Sequence, residues 1–202
     1  MVLKLYDFLP SGNDYKVRLV LTQLEIPFER VNIDITKGES RTPEFLQKNP
    51  NGRVPVLEFE DGRCLPESNA IMFYLTEETE LLPSDRFRRA QVLQWLFFEQ
   101  YSHEPYIATS RYIVSILGNP PEYEAVLAEK KEKGYAALNV MEHHLSDRPF
   151  FVGDRYTIAD ISLYAYTHVA HEGDFDLSNF PSIQAWLQRV QSQPRHIPIT
   201  QR

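Results

Sequence analysis

The 202-residue sequence has one cysteine, Cys64. A single thiol excludes an intrachain disulfide framework and a cysteine-rich zinc site. No apolar run approaches about 18 residues, so no transmembrane helix is expected. The opening stretch from Met1 to Asp7 lacks a basic region followed by a long apolar core, so it does not read as a signal peptide. These features make a cytoplasmic chain, away from membranes, the expectation. Excess positive charge is also missing. Twenty-one Lys and Arg stand against 28 Asp and Glu, a net charge of −7. Nucleic-acid binding, which needs a basic face, is therefore not expected. His143-His144 and the pair His168/His171 have no third histidine or carboxylate fixed beside them, so no metal is expected either.

The sequence does contain enough apolar residues, 43%, to bury a sizeable core. In the first third, strand and helix signals alternate. Val2–Phe8 alternates apolar and polar residues, as a half-buried strand does. Turn residues follow at 9–14, and then Tyr15–Leu24 has near-helical spacing. Phe28–Ile33 reads as a second strand, and Thr42-Pro43 opens a short helix. Val54–Glu60 and Arg63–Leu65 flank Asp61-Gly62, which predicts a two-residue hairpin turn. Ser68–Glu77 is helical. The order is βαβ, then αββα.

The remainder reads as helices. Leu81–Asp85 breaks the pattern. Arg86–Leu117 is long and periodic, with a kink expected at Pro105. Glu122–Leu145, Thr157–His171 and Ser182–Gln193 complete the set. Thr157 and Asp160 have capping-box spacing, a device for helix stability. The predicted architecture is an α/β domain over 1–77, a linker over 78–86 and an all-α domain over 87–202.

Two features carry chemistry. Arg53-Val54-Pro55-Val56-Leu57 places a proline inside a strand-like run, where it cannot donate to a ladder. Such a proline points to a specific backbone arrangement, often a cis bond. Pro66-Glu67-Ser68 then puts an acid and a hydroxyl at a helix start, where free N–H groups gather anions. Together they read as a grip on a small peptide-like ligand.

The stretches 49–57, 66–71 and 152–160, in this order and at these separations, resemble the glutathione transferase superfamily along essentially the whole chain. The resemblance implies a thioredoxin-like N-terminal domain followed by a helical-bundle C-terminal domain, glutathione as co-substrate without a metal, and a homodimer. It implies that Val54, beside a cis Pro55, meets the cysteinyl backbone of glutathione. It likewise implies that Glu67 pairs with the γ-glutamyl ammonium, and that Ser68 with the helix N–H groups takes the carboxylate. Arg53 matches a basic position for the glycyl end. Where related classes carry histidine or glutamine for that end, this chain has Ser40, so Arg53 is expected to share the task with Gln47 or Arg41.

The thiol-activating group is expected after the first strand, in Ser11-Gly12-Asn13. With no cysteine there, the protein itself forms no mixed disulfide. No base adjacent to Ser11 is evident to make its hydroxyl a nucleophile. Its expected task is to donate a hydrogen bond to the thiolate. Asn13 is a rival or helper, because Ser-x-Asn resembles members with disulfide-bond reductase activity. Tyr6, inside the strand, is expected to pack. Phe8, Leu9, Tyr106 and Tyr112 are candidates for the electrophile pocket, with Arg111 as an anion contact. Trp95 and Trp186 read as core anchors.

Three readings compete: a transferase acting on hydrophobic electrophiles, a glutathione-dependent disulfide-bond reductase, and a non-catalytic binding or regulatory module. Turnover, disulfide reduction and glutathione affinity separate them.

Overall fold

The computed structural model describes residues 2–201. By contact it divides into two units. The first runs to Glu77 and regains the chain from Pro194 onward; the second is Glu78–Gln193. The sequence placed the residues after 193 with the helical domain. The structure instead joins them to the N-terminal unit.

In the first unit the order is β1 (Leu3–Asp7), α1 (Gly12–Gln23), β2 (Phe28–Asn32), α2 (Pro43–Lys48), β3 (Val56–Glu58), β4 (Cys64–Pro66) and α3 (Ser68–Leu75), with two 3-10 turns between β2 and α2. The sheet order is β2-β1-β3-β4. β1 runs parallel to β2, and β3 is antiparallel to both β1 and β4. This is the thioredoxin-like arrangement that the resemblance implied. Leu5 and Leu57 from the sheet, Val17 and Leu21 from α1, and Ile71 from α3 form a sealed core. The period-2 and period-3.6 patterns supply these residues to one side of each element.

The hairpin differs from its expectation. Gly62 N–H donates to Phe59 C=O, and Phe59 N–H donates to Arg63 C=O, both at 2.9 Å. The loop is therefore Glu60-Asp61-Gly62, with Gly62 at φ 84°. It takes the longer form in which glycine holds the left-handed position after the turn. Asp61 Oδ1 accepts Arg63 N–H at 3.0 Å, which favours that geometry over the two-residue turn.

The second unit contains α4 (Arg86–Phe98), α5 (Glu104–Arg111), α6 (Glu124–Leu145), α7 (Ile158–Thr167) and α8 (Pro181–Gln191). Within the span 86–117, where a long helix with a kink at Pro105 is expected, Pro105 sits in the first turn of α5, directly after a π-helical turn. The interruptions are π-helical turns at Glu99–His103 and Tyr112–Ile116. Trp95 and Trp186 are buried, as anchors should be. Phe151 packs against both, at 4.6 and 5.1 Å between ring centres. The capping box forms: Asp160 accepts Thr157 N–H at 2.9 Å while Thr157 Oγ1 accepts Ala159 N–H at 3.3 Å. No helix among the described residues is long and apolar enough to cross a membrane.

Candidate functional site

β1 ends at Asp7, and the chain turns through Phe8–Ser11 into α1. Ser11 N–H donates to Phe8 C=O at 2.8 Å, closing that turn. Ser11 is the N-cap of α1, and its Oγ accepts Asp14 N–H at 3.3 Å. Asn13 lies in the first turn. Its Oδ1 accepts Lys16 Nζ at 2.8 Å and the Ser68 hydroxyl at 3.1 Å. Two donors on the carbonyl orient the amide and leave Nδ2 as its donor end.

Ser68 is the first residue of α3. The Asn13–Ser68 contact therefore brings the N-termini of α1 and α3 together. Each helix start carries unfilled N–H groups and the positive end of the peptide dipoles. Paired, they form a surface suited to anions such as a carboxylate or a thiolate. Lys16 adds a buried positive charge one turn from Ser11.

Glu67 stands just ahead of α3 at φ 72°, ψ 108°, with an exposed side chain and no capping hydrogen bond. Residues other than glycine rarely hold such a backbone, and it is found mostly where function over-determines it. The Val54–Pro55 bond is cis and immediately precedes β3. Asn49 organises the approach to it. Its Nδ2 donates to Arg53 C=O at 2.7 Å, and its Oδ1 accepts Asn51 N–H at 3.0 Å. Arg41 Nη1 donates to Asn51 C=O at 2.9 Å. A Cβ on Gly52, at φ +61°, would come within 2.5 Å of that Nη1 and 2.9 Å of Ser40 C=O, so only glycine fits there. Arg41 thus braces the loop, Ser40 is buried beside it, and the side chains of Arg53 and Gln47 are exposed.

Beneath the Ser11 turn lies a charged cluster that the sequence reading missed. Asp7 is fully buried and pairs with Arg18 Nη1 at 2.6 Å and Arg30 Nη2 at 2.8 Å. Arg18 Nη2 also donates to Leu9 C=O at 3.0 Å and to Ile199 C=O at 2.9 Å. Asp14 is sealed from solvent; its Oδ2 accepts Phe8 N–H at 3.2 Å. Burial pushes its carboxyl well above the usual carboxylate range, while the Ser11 hydroxyl draws it down. Asp14 thus places a carboxyl on the same turn as Ser11, where the sequence showed no adjacent base. A signal was present in the sequence: Lys16 and Arg18 interrupt an apolar run that the helix buries.

Residues 1–77 match the family described as "Glutathione S-transferase, N-terminal domain", and residues 105–194 match "Glutathione S-transferase, C-terminal domain". The chain belongs to the glutathione transferase superfamily. A glutathione S-transferase from Pseudomonas fluorescens Pf-5 superimposes over 100% of both chains, with a TM-score of 0.98 and 54% identity. Another family member from that species, solved with two glutathione bound, matches 96% of this chain and 90% of its own, with a TM-score of 0.84 and 26% identity. The disulfide-bond oxidoreductase YfcG of Escherichia coli is 28% identical over 93% of this chain and 89% of its own length.

The remaining predicted residues fall as follows. Tyr6 donates to Glu58 Oε2 at 2.8 Å and meets Phe45 edge-on, so it packs on the sheet. Phe8 is half-buried in the N-terminal unit. In the helical unit Tyr106 lies beneath Lys133 Nζ at 5.7 Å, and Tyr112 begins a π-helical turn. Arg111 does not present a free guanidinium. It is buried, and its Nε donates to Glu172 Oε2 at 2.7 Å, which removes it as an anion contact. A cavity of about 540 Å³ lies within the helical unit, lined by Ser110, Val114, Leu127, Lys131, His171 and Asp174 among others, and by none of the predicted electrophile residues. His168 stacks on Tyr164 at 4.4 Å, and His171 lies beyond the end of α7 in a 3-10 turn, so the two do not share a helix face. Among the described residues no cluster of three or more His, Cys, Asp or Glu could hold a metal ion.

Proposed function

We propose that the protein is a glutathione transferase enzyme that binds glutathione, favours its thiolate and directs it onto a hydrophobic electrophile. The observation that carries this is the Asn13–Ser68 hydrogen bond, which ties the thiol-side loop to the γ-glutamyl-side helix start. Val54 pairs with the cysteinyl backbone, Glu67 with the ammonium group, and Ser68 with the α-carboxylate. Arg53, with Ser40 in the buried turn beside it, serves the glycyl end. Ser11 donates to the sulfur, helped by Asn13 Nδ2. Lowering the thiol pKa from about 8.5 by about two units requires roughly 2.7 kcal/mol of preferential thiolate stabilisation. A hydroxyl donor, a helix N-terminus and the nearby Lys16 charge suit that task. Phe8, whose C=O closes the Ser11 turn, contacts the electrophile.

The test is calorimetric titration of glutathione, then turnover of aromatic halides and epoxides with Ser11→Ala in parallel. Binding at micromolar to millimolar concentration and a loss of about 100-fold in turnover are expected, an effect the size of one lost donor to a developing anion. Tight binding without turnover, unaltered by Ser11→Ala, would overturn the catalytic reading in favour of a binding module.

A second reading is favoured by the likeness to the Escherichia coli oxidoreductase and to the family structure with two glutathione bound. One glutathione thiolate attacks a small disulfide and releases the first thiolate; a second attacks the glutathione sulfur of the mixed disulfide, releasing the other thiolate and giving oxidised glutathione. Reduction that persists in Cys64→Ser supports it, and no reduction by the wild type removes it.

The exposed aromatics of α4 and the turn after it, Phe87, Phe97 and Tyr101, support a homodimer. The cytoplasm, where the glutathione pool is kept reduced, is the proposed setting.

A further inference from the structure

Asp14 holds the turn before α1 through one carboxyl oxygen, and that structural task leaves the other oxygen unexplained. It occupies the third helical position, three residues past the half-exposed Ser11, yet it is 0% exposed. A buried carboxyl is ordinarily supplied with donors on both oxygens. Here Oδ2 has the Phe8 N–H, and Oδ1 has no hydrogen-bond partner. Its backbone N–H is already on Ser11 Oγ, so the carboxyl and the hydroxyl belong to one turn. A hydroxyl has one proton and two acceptor lone pairs. With Asp14 N–H on one lone pair, Ser11 keeps its proton and a second lone pair for use.

We propose that Asp14 is the positioning residue behind Ser11, accepting the Ser11 hydroxyl proton at Oδ1 as the glutathione thiol gives its own proton to Ser11 Oγ. This rests on the reading of Ser11 as the group that meets the sulfur. In the step the S–H bond breaks, and its electron pair stays on sulfur. A new O–H bond forms at Ser11, the old one breaks, and a new O–H bond forms at Asp14. No oxidant or reductant is needed. One negative charge moves from a sealed carboxylate to the sulfur. Ser11 ends with a hydroxyl hydrogen available to the thiolate, and Asp14 ends neutral.

The surroundings favour that direction. Burial is the largest influence raising the Asp14 carboxyl; the Ser11 hydroxyl opposes it, the charge of Asp7 reinforces it, and Phe8 N–H and Arg18 oppose it. Asp7 is itself held by Arg18 and Arg30, and Lys16 is engaged with Asn13 on the same turn. A carboxyl raised above the ordinary carboxylate range is a stronger proton acceptor than an ordinary one.

The experiment follows the ultraviolet absorbance of enzyme-bound thiolate against pH for the full chain. Asp14→Asn keeps the shape and an acceptor for Phe8 N–H but cannot take the proton. Its bound thiol is expected to titrate about one pH unit higher, a tenfold loss of thiolate on the acid side. Affinity for S-methylglutathione, which has no thiol proton, should stay within about twofold. Added to Ser11→Ala, the Asp14 change should shift nothing further, because the proton path runs through Ser11. If Asp14→Asn does not fold, Asp14→Ser is read in the same way. An unchanged titration in the folded variant, or an equal shift on the Ser11→Ala background, overturns the inference alone. Bound glutathione with no thiolate in the wild type at any pH overturns the reading of Ser11, and the inference with it.

Discussion

At the scale of single residues, the candidate site is held by polar groups with more than one task. Glu67 is the clearest case, an exposed acid on a strained backbone at φ 72°. Strain of this kind costs on the order of 1–3 kcal/mol. Glu67→Gly removes the strain together with the carboxylate, so thermal stability should hold or rise while glutathione binding weakens about tenfold, or 1.4 kcal/mol. Lower stability with affinity retained would show that Glu67 serves the fold instead. Arg18 serves both turn and core. Its guanidinium ties Asp7, Leu9 C=O and Ile199 C=O. Arg18→Met leaves Asp7 buried with Arg30 alone and should destabilise by about 3–5 kcal/mol, read from denaturant midpoints. A loss below about 1 kcal/mol, the worth of a surface pair, would deny it that role.

At the scale of elements, α7 and the C-terminal segment each depend on one buried group. Asp160 receives four donors: Phe151 N–H, Thr157 N–H, Thr157 Oγ1 and Trp186 Nε1. Burial still pushes its carboxyl up to about 6, from 3.8. Between those values the folded chain holds a proton that the unfolded chain has released. The contribution of this group to stability therefore falls as pH rises across that window, by roughly 3 kcal/mol in all. Denaturant midpoints at pH 4 and pH 7 test this: the advantage of wild type over Asp160→Asn should be larger at pH 4. An advantage that grows with pH would reverse the assignment. The residues after Gln193 belong with α1 because they complete it. Tyr15 donates its hydroxyl to Ile197 C=O at 2.7 Å and meets His196 Nε2 at 3.1 Å, and Arg195 pairs with Glu25. Truncation after Gln193 orphans buried donors of Tyr15 and Arg18, at about 1–3 kcal/mol each. Hydrogen exchange should rise across α1 and the Ser11 turn; exchange unchanged from the full chain would deny the segment its part in the site. Burial lowers His196, so the unfolded chain takes its proton at higher pH than the folded one. The hold of this segment should weaken as pH falls below the ordinary histidine range.

At the scale of the whole molecule, α4 and the π turn after it expose Phe87 (71%), Phe97 (70%) and Tyr101 (84%), large apolar surface for a chain without a partner. Phe97→Glu with Tyr101→Glu should shift a homodimer to monomer in sedimentation while the helical signal is retained. An unchanged mass would move the interface elsewhere. The fold itself was legible in the sequence, because hydrophobic periodicity decides each element and its buried side. So were the cis proline, the glutamate-serine helix start and the Ser-x-Asn turn, because each is local in the chain. Local sequence could not show that Asn13 meets Ser68 across 55 positions, that Ile199 satisfies Arg18 across 181, or that Arg111 is already paired with Glu172. Nor could it show that Asp14 is sealed beneath Ser11, since that depends on how α1 lies against the sheet. Periodicity fixes which side of an element is buried; which charged group faces which is fixed only when the elements pack, and in this chain that packing decides which polar residues remain free to meet a ligand.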